Sequence, residues 1–208
     1  RNLVKRQQEI EKSIEEQGKL TPEIKEALDR ALKMQELEDI YLPFKQKRRT
    51  RAGVAREKGL EPLALAILAQ EEKSGTAEEY AAPFIDAEKG VETAEDALSG
   101  AMDIVAETVS EGAALRQKMR KELWQRAELV TALDEEAVDA QTFLMYQDYK
   151  EPLRTLPSHR ILAVNRGEKK GCLKVTLQCD HEKLAAEIFD GLAKGDSIFR
   201  ESLKAAIE

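Results

Sequence analysis

Apolar residues at helical spacing, bounded by residues that start or stop helices, dominate the first part of this chain. After Thr21-Pro22, for example, Ile24, Leu28 and Leu32 recur at intervals of four residues. Side chains three or four positions apart lie on the same face of an α-helix. The spacing therefore predicts a short amphipathic helix, and its recurrence favours a fold built mainly from helices.

Threonines stand where these helices are predicted to begin. A threonine hydroxyl at the N-cap accepts a hydrogen bond from a backbone N–H group in the first turn. Glycine commonly ends a helix because it tolerates positive φ, and we expect Gly18 and Gly59 to do so. Short helices with short links predict a stacked helical array. The predicted N-caps are Thr21, Thr50, Thr76 and Thr93.

The pattern changes after Arg126. Residues 172–178 alternate between apolar and polar side chains, which predicts a strand. A lone strand cannot satisfy its backbone hydrogen bonds, so we expect it to pair with about 129–133. Ser158 is predicted to cap a helix that runs through Arg166 and ends at Gly167.

Together these patterns predict a mainly α fold, a stacked helical array with one small β element. The predicted domains are residues 1–127, the helical array, and residues 128–208, a mixed helical lobe with short β-strands. Aromatic residues are only 5% of the chain, and Ala, Leu, Glu and Lys dominate it. These four lose little rotamer freedom in a helix, so the composition agrees with the pattern.

The sequence also limits where the chain can act. No apolar stretch approaches the roughly 20 residues that a membrane helix needs. Cys172 and Cys179 fit no metal-binding spacing and are typical of free thiols in a reducing cytoplasm, the location we expect. The chain starts inside a helical stripe without a methionine and has no stop signal at its end. We therefore expect it to be a piece of a longer multidomain protein, truncated at both ends.

A basic run between Lys45 and Lys58 contrasts with the formal net charge of −7 of the whole chain. Such a run marks a place where a polyanion or an acidic face of another domain can dock. Lysines and arginines can contact phosphates, and Tyr41 and Phe44 beside them can stack on bases. The candidate nucleic-acid-binding residues are Lys45, Lys47, Arg48, Arg49, Arg51, Arg56 and Lys58.

Two alternatives for this run stay open. The chain has 40 acidic residues, and the run can pair with some of them inside the protein. It can also act as a nuclear-localisation signal, but only if the source is not bacterial. Phosphate contact and intramolecular pairing therefore compete as explanations of the same residues.

No pattern in the chain indicates catalysis. His159 and His181 are the only histidines, and no carboxylates converge on them with metal-ligand spacing. Cys179 is close to His181 in sequence, but neighbours at a strand end rarely form a nucleophile and base pair. We expect no enzyme activity, no metal and no cofactor. Trp124 is predicted to lie in the core.

Three stretches of sequence, in fixed order, form a recognisable set. They read LEDIYLPFKQKRRTRA at 37–52, continuing into AREKGLEPL at 55–63; GAMDIVAE at 100–107; and YKEPL at 149–153 with PSHRILA at 157–163 and RGE at 166–168. This set resembles the Tex family of bacterial transcription accessory proteins. Phe44 and Met102 depart from the family pattern, which usually has Tyr and Arg there.

The resemblance implies a role in transcription and in binding RNA or DNA. Tex proteins are multidomain and cytoplasmic, with an N-terminal helical region, an RNase H-like domain, helix-hairpin-helix motifs and an RNA-binding OB-fold. The chain matches part of the helical region, so the family's principal nucleic-acid contacts are expected in other domains. The resemblance therefore implies that the chain is a non-catalytic scaffold whose basic loop contacts phosphates or docks onto other domains. The alternative is a protein-interaction module that contacts the transcription machinery.

Overall fold

The computed structural model describes residues 2–45 and 49–208. Its chain forms two compact units, one containing the chain up to Gln117 together with Glu182–Glu208, and the other Lys118–His181. The helices are α1 (Asn2–Glu16), α2 (Pro22–Arg30), α3 (Met34–Tyr41), α4 (Arg51–Glu57), α5 (Glu61–Ala69), α6 (Ala77–Ala81), α7 (Ala94–Glu111), α8 (Ala113–Arg126), α9 (Ser158–Lys169), α10 (His181–Leu192) and α11 (Arg200–Ile207). The strands are β1 (Glu128–Leu133), β2 (Lys150–Pro152) and β3 (Leu173–Gln178). The predicted mainly α class is confirmed.

The predicted threonine caps are confirmed by their hydrogen bonds. Thr50 Oγ1 accepts a bond of 2.9 Å from the backbone N–H of Gly53, and Thr21 Oγ1 accepts one of 3.3 Å from Ile24. Thr76 and Thr93 form complete capping boxes with the acidic residue three positions later. Each cap satisfies a backbone donor that the helix leaves unpaired, so local sequence determines where these helices begin.

The first unit contains two apolar clusters. α1, α2 and α3 enclose one of them, in which Ile10, Ile14, Leu28 and Leu37 are buried. The larger cluster surrounds α7, which packs against α4, α5, α6 and α11. Gly100 on α7 permits close packing there, because a Cβ at this position would lie 2.4 Å from Cδ1 of Leu60.

The C-terminal residues belong to this first unit. Phe199 and Leu203 are fully buried in the larger cluster. The buried amide of Gln70 donates to the carbonyl oxygens of Ile67, at 2.6 Å, and of Phe199, at 3.1 Å. The unit bounds therefore differ from the predicted domains 1–127 and 128–208, because the apolar face of α11 is buried against α5 and α7.

The second unit is built around an antiparallel sheet with strand order β2-β1-β3. β1 pairs with β3 over its full length, from Glu128 opposite Gln178 to Leu133 opposite Leu173. The predicted pairing of 172–178 with about 129–133 is confirmed. Lys150–Pro152 forms the edge strand β2, which the sequence pattern did not predict. Proline is compatible with an edge strand, where its missing N–H leaves no ladder bond broken.

The helix predicted to end at Gly167 continues through it to Lys169. Gly167 is buried, and a Cβ there would lie 2.5 Å from Cδ1 of Leu173 and 3.0 Å from Phe143. Its function is to permit close packing of α9 on β3. Positive φ occurs instead at Gly171, four residues later. The predicted N-cap is also shifted, since Pro157 occupies that position and Ser158 is the first helical residue.

Candidate functional site

The basic run begins after a short 3-10 turn, Leu42–Phe44, and continues through α4. Lys45 and Arg49 are exposed on either side of the residues that the structure leaves undescribed. Lys47 and Arg48, two of the predicted site residues, lie outside the described residues. Arg51 begins α4, and Arg56 and Lys58 lie at its end.

Arg56 is held by carboxylates of its own unit. Its guanidinium donates to Oε2 of Glu107 on α7 at 2.6 Å, and its Nε lies 3.7 Å from Oε1 of Glu61. Glu107 is only 13% exposed, and its other oxygen accepts a 3.0 Å bond from the hydroxyl of Thr50. One carboxylate thus holds both ends of α4 on α7. Partial burial strengthens such a charge-assisted pair, so the contact of Arg56 with Glu107 helps to hold α4 on α7.

Lys58 is also bound within the fold. Its Nζ donates to the backbone carbonyl of Gly90 at 2.8 Å. The hydrogen bond with Thr93 lowers the pKa of the Asp96 carboxyl below its usual value, and the charge of Lys58 contributes to the same shift. Lys58 therefore stabilises the turn before α7 and the capping box at its start.

Arg49 and Arg51 are more exposed than Arg56 and are held by long ion pairs. Arg51 is 89% exposed, with its Nε 3.4 Å from Asp103, and Arg49 is 76% exposed, with its guanidinium 3.7 Å from Glu57. Exposed ion pairs of this kind contribute at most about 1 kcal/mol, because water and salt screen them and both side chains lose freedom. These two arginines can exchange their carboxylates for another anion at little cost.

The groove beside Arg51 is unsuited to a phosphate. It has a volume of about 680 Å³ and lies between α4, α7 and the end of α11. Asp103 and Glu107 line it, and their negative charge disfavours an anion inside. An anion would therefore meet the outward ends of the arginine side chains.

The aromatic rings beside the basic run already have packing contacts in the apolar cluster of α1, α2 and α3. Tyr41 and Phe44 both pack against that cluster. The hydroxyl of Tyr41 lies 3.1 Å from Oγ of Ser13, and the guanidinium of Arg6 lies over the ring at 5.6 Å. The expected stacking of bases on these rings would compete with those contacts.

Among the described residues, Cys179 and His181 lie close together, whereas the other cysteine and histidine lie elsewhere in the second unit. Cys179 Sγ lies 3.7 Å from Nδ1 of His181, which is within hydrogen-bonding distance for a sulfur atom. Cys172 is buried, and His159 is exposed in the first turn of α9. Residues 2–45 and 49–208 include no cluster of three or more His, Cys, Asp or Glu side chains suited to a metal ion.

No helix in the described ranges combines the length and apolarity required to cross a bilayer. The cytoplasmic location expected from the sequence stays a prediction.

The surface of α8 around Trp124 is exposed, which the sequence pattern did not predict. Trp124 was predicted to lie in the core, but it is 56% exposed on α8, a helix that buries none of its side chains. The signal was available, because α8 has no apolar stripe wide enough to require burial of a tryptophan.

The chain is similar to one known protein family and to several individual proteins. The family model described as Tex central region-like matches residues 72–205. The protein tex of Bordetella pertussis is 47% identical over 176 residues, which covers 83% of this chain and 22% of that protein. The transcriptional accessory protein Tex of Neisseria gonorrhoeae is 40% identical over 179 residues, covering 86% of this chain and 23% of that protein.

A more distant relative carries an RNA-binding name. The human S1 RNA-binding domain-containing protein 1 is 30% identical over 172 residues, which covers 78% of this chain and 17% of that protein. The chain spans less than a quarter of the length of each of these three relatives. The domain named in the human protein is therefore a property of that protein as a whole.

Proposed function

Because this chain belongs to the Tex family, we propose that it is a non-catalytic helical scaffold of a nucleic-acid-binding transcription accessory factor, in which the basic run supplies auxiliary phosphate contacts. The scaffold is the first unit, where α7 organises the surrounding helices. Binding of RNA or DNA by the whole protein is part of the proposal, because the chain spans only a fraction of its relatives.

The observation that supports phosphate contact is that two residues of the basic run are bound within the fold and two are exposed. Arg56 and Lys58 are bound to Glu107 and to a backbone carbonyl, whereas Arg49 and Arg51 are exposed with long ion pairs. The tethered residues fix α4 on α7, and the exposed residues then project from a fixed base. A phosphate can replace their carboxylates, with release of counterions from the nucleic acid.

Charge reversal at the exposed arginines tests this function. We expect Arg49→Glu with Arg51→Glu to weaken binding of a labelled single-stranded RNA and to flatten its salt dependence. Each lost phosphate contact reduces the slope of log K against log salt by about 0.7 for a single strand. Fluorescence anisotropy at several salt concentrations measures both quantities, and adding Lys47→Glu and Arg48→Glu should extend the loss.

The matched control reverses two other exposed cations of the first unit. Lys12 and Arg30 are both 77% exposed and paired with glutamates of their own helices, so their reversal changes the net charge equally. If Lys12→Glu with Arg30→Glu weakens binding as much as the test variant does, the effect is one of overall charge. The basic run then has no specific part in binding.

Docking of another domain is the competing use of the same arginines. It is favoured by the length of the relatives, of which this chain matches less than a quarter. Docking predicts that reversing the equivalent arginines lowers the melting temperature of a full-length relative, while Arg49→Glu with Arg51→Glu leaves that of this chain unchanged. Phosphate contact predicts no such difference in melting temperature.

A further inference from the structure

The part of α8 within the second unit presents one continuous exposed face. Lys118, Lys121, Trp124 and Gln125 are exposed there, and Glu122 and Leu123 between them are half-buried. Successive residues of an α-helix are rotated by about 100°, which places the four exposed side chains on one side of the helix. This face contains two lysines, an amide and an indole, and no carboxylate.

Trp124 on this face is exposed to a degree that the fold does not require. It is 56% exposed, although tryptophan is highly buried in most proteins because its large ring gains most from burial. Trp124 is also the only tryptophan of the chain. An exposed indole offers a flat apolar surface that can stack on another flat ring.

The two lysines on this face have no acidic partner in the part of the chain that the structure describes. Across the described ranges 2–45 and 49–208, neither Lys118 nor Lys121 has a carboxylate within ion-pair distance, whereas the nearby Arg126 lies 3.1 Å from Glu122. Basic and acidic residues nearly balance in the second unit, although the whole chain has a net charge of −7. The face therefore carries uncompensated positive charge within a unit that does not repel a polyanion as strongly as the rest of the chain.

We propose that this face of α8 binds single-stranded nucleic acid, with an unpaired base stacked on Trp124 and backbone phosphates at Lys118 and Lys121. Trp124 lies one turn from Lys121, about 4.5 Å further along the helix axis. Base and phosphate contacts can thus be made by one strand that follows the helix. Aromatic stacking with flanking cations is the usual mode of single-strand binding without sequence preference.

The inference rests on the proposed binding of nucleic acid but uses a surface separate from the basic run. An acidic protein surface would also attract the two lysines, yet it would leave the indole without a flat partner. A single strand uses both the charge and the ring of this face, and it is therefore the occupant that its chemistry favours.

Trp124 itself reports the binding. We expect oligothymidylate to quench the tryptophan fluorescence of the 208-residue chain, because a stacked base quenches indole emission. The same strand paired in a duplex has no free base and should give little quenching. Inorganic polyphosphate carries phosphates without bases, so it should compete for the lysines without quenching to the same extent.

Variants test the two kinds of contact separately. We expect Trp124→Ala to bind labelled oligothymidylate at least about fivefold more weakly, since the loss of one stacked base corresponds to a factor of about five or more. Trp124→Phe should retain part of the affinity, and Lys118→Glu with Lys121→Glu should reduce both the affinity and its salt dependence. Leu162→Ala is the control, because Leu162 is 69% exposed on α9 in the same unit.

The outcomes separate this inference from the proposed function. If oligothymidylate binds without quenching and with equal affinity to Trp124→Ala, the α8 face is not the site, and a loss in Arg49→Glu with Arg51→Glu would still support the basic run. If quenching persists in that arginine variant at unchanged affinity, the α8 face is supported and the basic run is not. Emission that responds to polyglutamate and not to oligothymidylate would identify an acidic protein as the partner and overturn the inference.

Discussion

The two compact units complete their apolar cores in different ways. In the first, α7 lies at the centre, and α11 from the far end of the chain closes the core with Phe199 and Leu203. In the second, the continuous segment Lys118–His181 supplies the whole core around β1, β3 and α9. The first unit therefore depends on contacts such as that of Gln70 with Phe199, which are 129 positions apart, and the second depends on nearer ones.

This difference matters for stability because distant contacts require closure of a long loop before they contribute. A change in the C-terminal residues should thus weaken the first unit far from the site of mutation. A change in the second unit should act within its own continuous segment. Substitutions in each unit test whether the two cores respond independently.

The largest effect is expected from truncation of Phe199. This side chain is fully buried and meets the ring of Tyr80 edge to face at 5.1 Å between centroids. Phe199→Ala should destabilise the first unit by about 3–5 kcal/mol, through lost apolar burial and the cavity left behind. Hydrogen exchange followed by mass spectrometry should show faster exchange in α5 and α7 and unchanged protection of β1 and β3.

Leu65→Ala is the control for this truncation. Leu65 is 60% exposed on α5, and its loss should change stability by no more than about 0.5 kcal/mol. If Phe199→Ala instead accelerates exchange in β1 and β3 to the same extent, the two units unfold as one cooperative body. The two units would then not differ in how their cores unfold.

A smaller effect, confined to the second unit, is expected from Gly167→Ala. The added methyl group would overlap with Leu173, and Phe143 limits the room on the other side. Overpacking of this kind costs about 1–3 kcal/mol, and it should appear as faster exchange in α9 and β3. Chemical denaturation of the whole chain gives the total loss.

Gly191 on α10 provides a matched glycine without the steric conflict. Apart from its chain neighbours and the backbone of its own helix, no heavy atom of the described residues lies within 4 Å of the position that its Cβ would occupy, so Gly191→Ala should be neutral or should stabilise the helix by up to about 1 kcal/mol. If Gly167→Ala is instead as neutral or stabilising as Gly191→Ala, helix propensity, and not contact with Leu173, governs the effect at Gly167.

Local signals in the sequence predicted much of the first unit. The N-caps at Thr50 and Thr93 were identified because a capping hydroxyl acts on residues only three positions away. The pairing of β1 with β3 was predicted from alternation and from the need of a strand for a partner. β2 was missed because three residues that include Pro152 carry no strand pattern.

Features that depend on distant residues were not predictable in this way. The apolar face of α11 does not reveal which of two cores will bury it, so the predicted boundary at residue 127 differs from that of the compact units. The composition of the basic run likewise did not show that Arg56 is held within the fold while Arg51 is exposed. This difference arises from Glu107, which binds Arg56 and lies more than fifty positions further along the chain.

The smallest effect on stability is expected at Asp96, at the start of α7, where the contacts involve residues close in sequence. The hydrogen bond with the side chain of Thr93 is the main cause of the pKa of Asp96 lying below the usual 3.8, and its carboxylate also accepts bonds from the backbone N–H groups of Thr93 and Glu92. A lowered pKa means that ionised Asp96 stabilises the fold above the pKa of the unfolded chain. This contribution is lost as the pH falls through the lower pKa of the folded state.

Asp96→Asn should therefore lower the melting temperature slightly at pH 7, and the difference from the parent chain should shrink below about pH 4. A difference that is constant between pH 7 and pH 3 would show that the charge of Asp96 has no part in capping α7.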